Sequence, residues 1–314
     1  MLTYFLFCLG LVLLLAGGDW LIKGAVGLAE KFNISPLIIG LTIVALGTSA
    51  PELVISLQAA LAGSGELAVG NVVGSNIANV FLVLGVPAIM SRIGGNEDAL
   101  NGTLFFLTGV TVIFMLQMAF EPLSRLDGVI LLTCLVIFLS IQFMKARRAE
   151  EPEEDYHDEI GNVPKSAKVI ALLMGLGLIA LPVGATITVD AAVEIARRWT
   201  VPEEVIGLTI VAIGTSLPEL ATGIMAARHN NTSVALGNVV GSNLFNIAAI
   251  MGATAFIAGD VAVGNHIIGF DMWVMLLATV LLVGLAMFRL SIGRTGGLLL
   301  TGAYLAYLFT TAII

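Results

Sequence analysis

The stretch GLTIVALGTSAPEL at residues 40–53 occurs a second time in the chain, as GLTIVAIGTSLPEL at residues 207–220. A second pair follows, with GNVVGSNIAN beginning at Gly70 and GNVVGSNLFN beginning at Gly237. Both pairs are separated by 167 residues, so two whole halves of the chain correspond. The alternative is chance similarity between glycine-rich apolar helices, in which glycine serves close helix contacts. Twelve identities in fourteen positions and the common offset argue against it.

The composition around these repeats is that of a membrane protein. Hydrophobic residues make up 58% of the 314 residues and charged residues 11%, whereas soluble domains carry about 25% charged residues. A helix needs roughly 20 apolar residues to cross the hydrocarbon core. Ten apolar segments meet this description approximately, at residues 2–22, 35–61, 67–90, 100–120, 127–144, 168–190, 202–227, 233–257, 267–288 and 295–313. Because open strands in lipid would leave backbone groups unpaired, the sequence predicts an all-α polytopic membrane protein with ten transmembrane helices.

Each half of the chain contains five of these segments, and an odd number forces the second half to insert upside down. We therefore predict two inverted five-helix repeats, at residues 1–144 and 168–314, joined by a linker at residues 145–167. Inverted repeats are typical of secondary transporters, whose substrate sites lie near the midplane of the bilayer, at discontinuous helices.

Basic residues are distributed unequally between the two sets of loops. Eleven of the 14 Lys and Arg residues fall in one set and three in the other, and loops rich in Lys and Arg remain in the cytoplasm. This bias predicts a protein of the plasma or inner membrane with both termini outside and the linker 145–167 in the cytoplasm. The linker holds the acidic run AEEPEEDYHDEIGN, which is interpreted as a solvated loop, with regulatory cation binding as the alternative.

Two carboxylates, those of Glu52 and Glu219, lie near the centres of their apolar segments, where an ionised side chain is expensive by several kcal/mol. No Lys or Arg lies near them in either segment, so each is either protonated or neutralised by a bound cation. Pro51 and Pro218 precede them, and a proline lacks the N–H that would bond to the carbonyl four residues back. We expect the helices to open around residues 45–48 and 212–215, with carbonyls turned into a cavity, which favours cation binding.

Further oxygen atoms lie beside these predicted breaks. Ser and Thr hydroxyls in membrane helices often only bond to the preceding turn, but here they cluster with a glutamate and a proline in both halves. The hydroxyl residues are Thr48, Ser49, Thr215 and Ser216. The second motif supplies a facing wall, because residues spaced by four share one helix face. The residues of this wall are Asn71, Ser75 and Asn79 in the first half and Asn238, Ser242 and Asn246 in the second.

Glycine pairs and two more asparagines complete the second motif. The spacing of Gly70 with Gly74, repeated by the glycines at 237 and 241, predicts close helix contacts. Asn76 and Asn243 point elsewhere, and either interhelical hydrogen bonding or lining of the cavity explains them. The predicted cavity offers oxygen atoms and no His or Cys, which suits Ca²⁺ and Na⁺ and argues against Zn²⁺ or Cu⁺. The histidines at 157, 229 and 266 fall in predicted loops.

GTSAPE and GTSLPE, each followed by GNVVGSN, closely resemble the alpha repeats of the calcium/cation antiporter superfamily. The version is similar to that of bacterial and archaeal members of the sodium/calcium exchanger branch, rather than the calcium/proton branch, whose repeats typically read GNAxE. The resemblance covers nearly the whole chain. It implies ten helices, with the second, third, seventh and eighth around a four-site cation cavity, and exchange of about three Na⁺ for one Ca²⁺.

The resemblance also implies a set of metal ligands. Glu52 and Glu219 would bind both ions. Further oxygens would come from the side chains of Thr48, Ser49, Thr215 and Ser216, from the carbonyls of Ala45 and Ala212, and from the side chains of Ser75, Asn79, Ser242 and Asn246. Many relatives carry Asp at one of the positions of Asn79 and Asn246. With Asn at both, the charge of the site is at most −2, which balances one Ca²⁺ but leaves three Na⁺ with an excess positive charge.

The sequence thus predicts a secondary antiporter that exchanges Na⁺ for Ca²⁺ by alternating access. Proton-coupled exchange of Ca²⁺ or Mn²⁺ is the alternative, because a glutamate in a dry cavity can take up a proton, and a cation channel is a more remote one. An enzyme is not expected, since Ser49 and Ser216 lack a His or Lys partner. The expected partners are the lipid bilayer and the transported ions, which bind transiently. We expect no resident cofactor, nucleic acid or obligate protein partner.

Overall fold

The computed structural model describes residues 1–94, 100–120, 122–148, 163–201, 206, 210 and 212–311. Within these residues the protein is helical, and the only extended pairings are two isolated bridges, Ile93 with Ile292 and Leu123 with Val261. The helices are α1 (Leu2–Phe32), α2 (Pro36–Thr48), α3 (Ala50–Leu61), α4 (Gly65–Met90), α5 (Asn101–Ala119), α6 (Arg125–Arg148), α7 (Ala167–Arg198), α8 (Leu217–Arg228), α9 (Thr232–Ala258), α10 (Ile267–Met287) and α11 (Arg294–Thr311).

Among the described residues, seven helices are long and apolar enough to cross a membrane, or eight if α2 and α3 form one broken span. The all-helical membrane class predicted from composition is therefore confirmed. Two predicted boundaries were wrong, because α1 continues to Phe32 and α7 to Arg198. Polar residues in these helices form ion pairs one turn apart, such as Glu194 with Arg198 at 3.0 Å, so the helices continue beyond their apolar segments. The acidic run, together with residues 202–205, 207–209 and 211 of the seventh predicted segment, lies outside the described residues.

The two most buried helices are α4 and α9, which carry the second motif of each half. The apolar window of α9 is 94% buried and that of α4 is 83% buried, whereas the other spanning helices reach at most 44%. Glycines let α9 approach α2, because a Cβ at Gly241 would lie 2.5 Å from the carbonyl oxygen of Leu41. The packing role predicted for Gly237 and Gly241 is confirmed.

The corresponding pair in α4 behaves differently. No described atom lies within 4 Å of a Cβ built at Gly74, and Gly70 and Gly74 line a cavity. The residues that correspond to the α2 contact, around 204–212, lie largely outside the described part of the chain. The close helix contact predicted for these two glycines is therefore absent among the described residues.

Helices α1 and α7, the first of each half, cross in direct contact. A Cβ at Gly177 would lie 2.8 Å from the carbonyl oxygen of Gly17, and one at Gly184 would lie 2.9 Å from the backbone nitrogen of Leu14. Small residues such as glycine allow two helix backbones to approach closely. At these positions α1 and α7 therefore meet through backbone atoms, and few side chains interdigitate.

Among the described residues, four helices contain wide π-helical turns of five or more residues, at Gly40–Val44 in α2, Asn79–Val83 in α4, Phe245–Met251 in α9 and Ile267–Asp271 in α10. In the second of them the backbone N–H of Leu84 donates to the carbonyl of Asn79 at 3.0 Å. Such turns frequently occur at functional sites. Three of them contain or adjoin predicted ligands, and the fourth contains Asp271.

Candidate cation site

The first break separates α2 from α3, whose axes differ by 45°. The backbone leaves the helical conformation at Ser49, with φ −84° and ψ 7°, and α3 begins at the next residue. Pro51 lies in the first turn of α3, where its missing N–H is tolerated. The prediction that residues 45–48 unwind was wrong, because Ala45–Thr48 forms a helical turn and the N–H of Ser49 donates to Ala45 at 3.0 Å. Pro51 is accommodated in the first turn of the new helix that begins at Ala50.

The second break has the same local geometry. Ser216, with φ −89° and ψ 6°, precedes α8, and a one-turn helix, Ala212–Gly214, lies before it. The N–H of Ser216 donates to the carbonyl of Ile213 at 3.1 Å. Here too residues 212–214 form a helical turn, and the break follows at Thr215 and Ser216. Of the residues 212–215 predicted to open, only Thr215 lies in the break.

The two breaks bring the glutamates together. Glu52 and Glu219 lie in the first turns of α3 and α8, each is 1% exposed, and their carboxylates are close enough to repel each other. The hydroxyl of Ser49 donates to Oε1 of Glu219 at 3.0 Å, and the Thr48 side chain lies within reach of the same carboxylate. Helix N-termini favour negative charge. One buried cluster thus contains carboxylates from both halves of the chain.

The first asparagine of each second motif braces a broken helix. Asn238 accepts a hydrogen bond of 3.3 Å from the Thr48 hydroxyl. Asn71 donates to the carbonyl of Glu52 at 3.4 Å and to the Ser56 hydroxyl at 2.9 Å. Asn238 thus joins α9 to the end of α2, and Asn71 joins α4 to α3. Both residues therefore position the helix break in addition to facing the site.

Asn76 and Asn243 connect the two central helices. Asn243 donates to the backbone carbonyl of Asn76 at 3.4 Å, and Asn246 donates to the Asn76 side chain at 3.1 Å. Of the two interpretations left open by the sequence, the structure shows interhelical hydrogen bonding. These bonds also fix the amide group of Asn246, whose oxygen has no partner among the described residues.

Many buried polar atoms around the breaks have no hydrogen-bond partner among the described residues. They include Oε2 of Glu52 and of Glu219, the hydroxyls of Ser75, Ser216 and Ser242, and both side-chain polar atoms of Asn79. Buried polar groups are normally paired, and leaving one unpaired is destabilising. Within the described residues no group of three or more His, Cys, Asp or Glu could hold a metal ion. Two carboxylates with neutral oxygens fit a hard cation such as Ca²⁺ or Na⁺.

The remaining predicted ligands, Ala45, Ala212 and Thr215, differ in their surroundings. The Ala45 carbonyl accepts from the N–H of Ser49 and, at 3.3 Å, from the Thr48 hydroxyl. Ala212 lies in the one-turn helix before the second break. Thr215 is half-buried and lines a cavity of about 540 Å³.

This cavity reveals residues that the sequence analysis missed. Its lining includes Ser75 and Thr215 of the predicted site together with His266, Asp271 and Tyr307. His266 was assigned to a loop, but it lies at the start of a helix and its ring nitrogen Nδ1 is 2.8 Å from Asp271. The available signal was an acidic residue at the fifth position of the apolar segment 267–288.

These features define a polytopic helical membrane protein with an oxygen-rich site buried between two repeats. The family model described as sodium/calcium exchanger protein matches residues 2–144 and 169–312. The inner membrane protein YrbG of Escherichia coli (strain K12) is 37% identical over 309 residues, which cover 96% of this chain and 94% of YrbG. The sodium/calcium exchanger MaX1 of Methanosarcina acetivorans is 32% identical over 342 residues, covering 98% of this chain and 97% of MaX1.

A solved structure agrees over nearly the full length. The sodium-calcium exchanger NCX_Mj, soaked with zero Na⁺ and Ca²⁺, superimposes with a TM-score of 0.84 and 32% identity, covering 99% of both chains. The chain belongs to the sodium/calcium exchanger family, and the resemblance carried by its two repeats is confirmed. It is an integral membrane protein of a family of exchangers, and two of these relatives, MaX1 and NCX_Mj, are named as exchangers.

Proposed function

We propose that the protein is a secondary antiporter that exchanges Na⁺ for Ca²⁺ by alternating access. The observation that carries the proposal is the meeting of Glu52 with Glu219 at two broken helices, joined by the hydrogen bond from Ser49. Each half of the chain contributes one carboxylate, so any movement of one half relative to the other changes the site. MaX1 and NCX_Mj are named as sodium/calcium exchangers, which supports this choice of ions.

Competition for the same two carboxylates explains why transport would be exchange. Both ions need Glu52 and Glu219, so Na⁺ and Ca²⁺ exclude each other. A cavity with two uncompensated carboxylates faces a large desolvation barrier when it crosses between its outward-facing and inward-facing states. A bound Ca²⁺ neutralises both charges and removes that barrier. The ligands proposed beside the glutamates are Thr48, Ser49, Thr215, Ser216, Ser75, Asn79, Ser242, Asn246 and the carbonyls of Ala45 and Ala212.

We place the protein in the inner or plasma membrane as two inverted halves of five spans, with α2 and α3 forming one broken span and α8 completing another. Two bridges support the alternation of loops. Ile93 and Ile292 belong to two loops predicted in the cytoplasm, and Leu123 and Val261 belong to two loops predicted outside. Both termini would then lie outside, and the linker 145–167 would lie in the cytoplasm.

The moving part proposed here is the pair α1 and α7. Their contact contains glycine against backbone, which offers little resistance to sliding. Helix α7 also touches both breaks, since a Cβ at Gly47 would collide with Leu178, and one at Gly214 with Val189. Movement of α7 would therefore displace both helix breaks, and with them Glu52 and Glu219.

Proton-coupled Ca²⁺ exchange is the second candidate, favoured by the closeness of the two carboxylates, because like charges in a buried site promote uptake of one proton. Radioactive Ca²⁺ uptake into proteoliposomes preloaded with Na⁺, with K⁺ or with a pH gradient separates the candidates. Uptake that requires internal Na⁺ supports the proposal. Uptake driven by the proton gradient alone, or without any counter-ion as in a channel, contradicts it.

A further inference from the structure

The cavity lined by Ser75 and Thr215 of the cation site is also lined by a carboxylate, that of Asp271. We propose that Asp271, positioned by His266 and Tyr307, is a capture site that binds a hydrated divalent cation before it reaches Glu52 and Glu219. The inference rests on the proposed function for the identity of the cargo. Asp271, His266 and Tyr307 themselves lie outside the two repeated motifs.

Asp271 is held by two donors from different helices. The Tyr307 hydroxyl of α11 donates to Oδ1 at 2.9 Å, and Nδ1 of His266 lies 2.8 Å from Oδ2. Each carboxylate oxygen has about two lone-pair directions, so both oxygens keep capacity for a further partner. Asp271 is 8% exposed, and it is one of the residues that line the cavity of about 540 Å³.

The local backbone adds a second observation. Asp271 ends the π-helical turn Ile267–Asp271, in which the N–H of Met272 donates to the carbonyl of Ile267. The other three wide turns contain or adjoin predicted ligands, and such turns often re-aim a side chain at a functional site. An ionisable residue within a spanning helix marks an ion pathway by default.

Asp271 is not part of the internal repeat. The position 167 residues earlier is Leu104, which is buried and apolar. A residue that both halves need for their helical framework would be expected at both equivalent positions. A residue that serves only one entrance to the ion pathway, as proposed for Asp271, is needed in one half only. The cavity lies toward the loop before α10, which the distribution of basic residues places outside. The capture site therefore acts from the outer face.

Size and charge define the ligand. A water molecule occupies about 30 Å³ of liquid, so the cavity has room for a cation with its first hydration shell. A carboxylate at the wall of a low-dielectric cleft raises the local concentration of cations, and the attraction scales with the charge of the ion. A divalent cation is favoured over Na⁺ for this reason.

The kinetic test uses Asp271→Asn, with Asp260→Asn as the matched control. Asp260 is exposed in the same loop region and adopts φ 47°, a conformation that Asn accepts readily. Ca²⁺ transport is measured from each face in vesicles of defined orientation. We expect the outer KM of Asp271→Asn to rise roughly tenfold, as electrostatic focusing predicts, while its inner KM and kcat and all values of Asp260→Asn change less than twofold. Equal changes at both faces, or none, would overturn the proposal.

Two further variants separate capture from a structural role. Tyr307→Phe removes the bond to α11 but keeps the carboxylate, so its outer KM should rise clearly less than that of Asp271→Asn. Asp271→Glu should recover part of the lost outer affinity. If Tyr307→Phe reproduces the defect of Asp271→Asn, the carboxylate serves only to join α10 and α11, and the proposal fails.

Direct binding distinguishes this proposal from the proposed function. In a protein carrying both Glu52→Gln and Glu219→Gln, titration calorimetry with Ca²⁺ should show one weak site that disappears when Asp271→Asn is added. That result supports capture even if the wild type shows no Na⁺-dependent exchange. Absence of any Ca²⁺ binding in the doubly substituted protein would refute the capture site, whatever the transport assays show.

Discussion

Ser49 and Glu219 are 170 residues apart in the chain, and the hydroxyl of the first donates a hydrogen bond of 3.0 Å to the carboxylate of the second. Each residue belongs to the break in its own half, so the bond joins the two halves at the predicted site. A hydrogen bond to a carboxylate is stronger than one between neutral groups. The relative position of the two broken helices is consequently fixed at the atoms that would bind cargo.

Replacing Glu52 or Glu219 by Gln should reduce Ca²⁺ transport more than about 100-fold, because the site then lacks the charge that compensates a divalent ion at membrane depth. Both side chains are buried, and Gln preserves their size, so folded protein is expected. The measurement is Ca²⁺ flux in proteoliposomes, with monodispersity checked by size-exclusion chromatography. Glu66→Gln, an exposed change at the start of α4, is the control. Full activity in either site variant would contradict the assignment.

Ser49→Ala should raise the KM for Ca²⁺ by about tenfold, since loss of a hydrogen bond to a charged group is worth about 1.5–3 kcal/mol and the hydroxyl is also a proposed ligand. The matched control is Ser140→Ala, whose hydroxyl is exposed and bonds only to the preceding turn, at Val136. Concentration dependence of Ca²⁺ uptake gives both values. An unchanged KM for Ser49→Ala would remove Ser49 from the site.

A third carboxylate should affect stability differently at the two equivalent positions, Asn79 and Asn246. Both polar atoms of Asn79 lack a described partner, so Asn79→Asp introduces charge without breaking a bond. Asn246→Asp removes the N–H₂ group that donates to Asn76 at 3.1 Å and leaves two oxygens facing each other. We expect Asn79→Asp to lower stability less than Asn246→Asp does and to increase the cooperativity of Na⁺ binding, because the site then carries the charge of three Na⁺.

For Asn246→Asp we expect a loss of stability of about 1–3 kcal/mol, the usual effect of a buried unpaired group. Thermal unfolding monitored by tryptophan fluorescence measures stability, and the Na⁺ dependence of Ca²⁺ release measures cooperativity. Equal stability of the two variants would show that the Asn76–Asn246 bond contributes little.

Alanine at the two equivalent glycines should also give different results. Gly241→Ala would bring a Cβ to 2.5 Å from the Leu41 carbonyl oxygen, whereas no described atom lies within 4 Å at Gly74. Overpacking of a buried contact costs about 1–3 kcal/mol, so Gly241→Ala should lower the melting temperature and Gly74→Ala should not. Thermal unfolding of both variants checks this, and destabilisation by Gly74→Ala alone would contradict it.

The contact of Asp19 with His229 ties α1 to the loop after α8, with Nε2 of His229 at 2.7 Å from Oδ1 of Asp19. Asp19→Asn should weaken the conformation described here by about 1 kcal/mol, the upper range for a partly exposed pair. In the proposed orientation the cavity lies toward the outer face, so this shift would favour the inward-facing state. The inner KM for Ca²⁺ should fall about fivefold and the outer KM should change less than twofold, by the arithmetic of population shifts.

Lys23→Gln is the matched control for the Asp19 variant, since Lys23 also contacts Asp19, at 2.8 Å, but from the same helix. It should leave both KM values within twofold of the wild type. Equal effects of the two substitutions would mean that charge at Asp19, rather than its tie to His229, sets the balance.

The breaks show how far local sequence can predict structure. Pro51 and Pro218 remove N–H groups from bonds between residues four apart, so the interruption of two helices follows from neighbouring residues alone. The position of the interruption was predicted less well, because a new helix can begin at once after Ser49, as it does here. Composition likewise determined the membrane class, since it depends on no particular contact.

The roles of the asparagines required the fold. Asn76 and Asn243 had two equivalent interpretations in the sequence, and the crossing of α4 over α9 decided between them. Asp271 and Tyr307, 36 residues apart, could not be associated from spacing. The equivalent glycines at 74 and 241 have the same sequence environment and different surroundings.

The sequence by itself determined that this protein has two related halves, each with a glutamate at a proline-interrupted apolar helix. These features depend only on neighbouring residues and on hydrogen bonds that span one helical turn. Tertiary structure alone decided that Ser49 reaches Glu219 and that Asp271 faces the cavity. The distance between such side chains depends on how separate helices cross and on where each helix bends, and small changes in those angles move distant atoms by more than the length of a hydrogen bond.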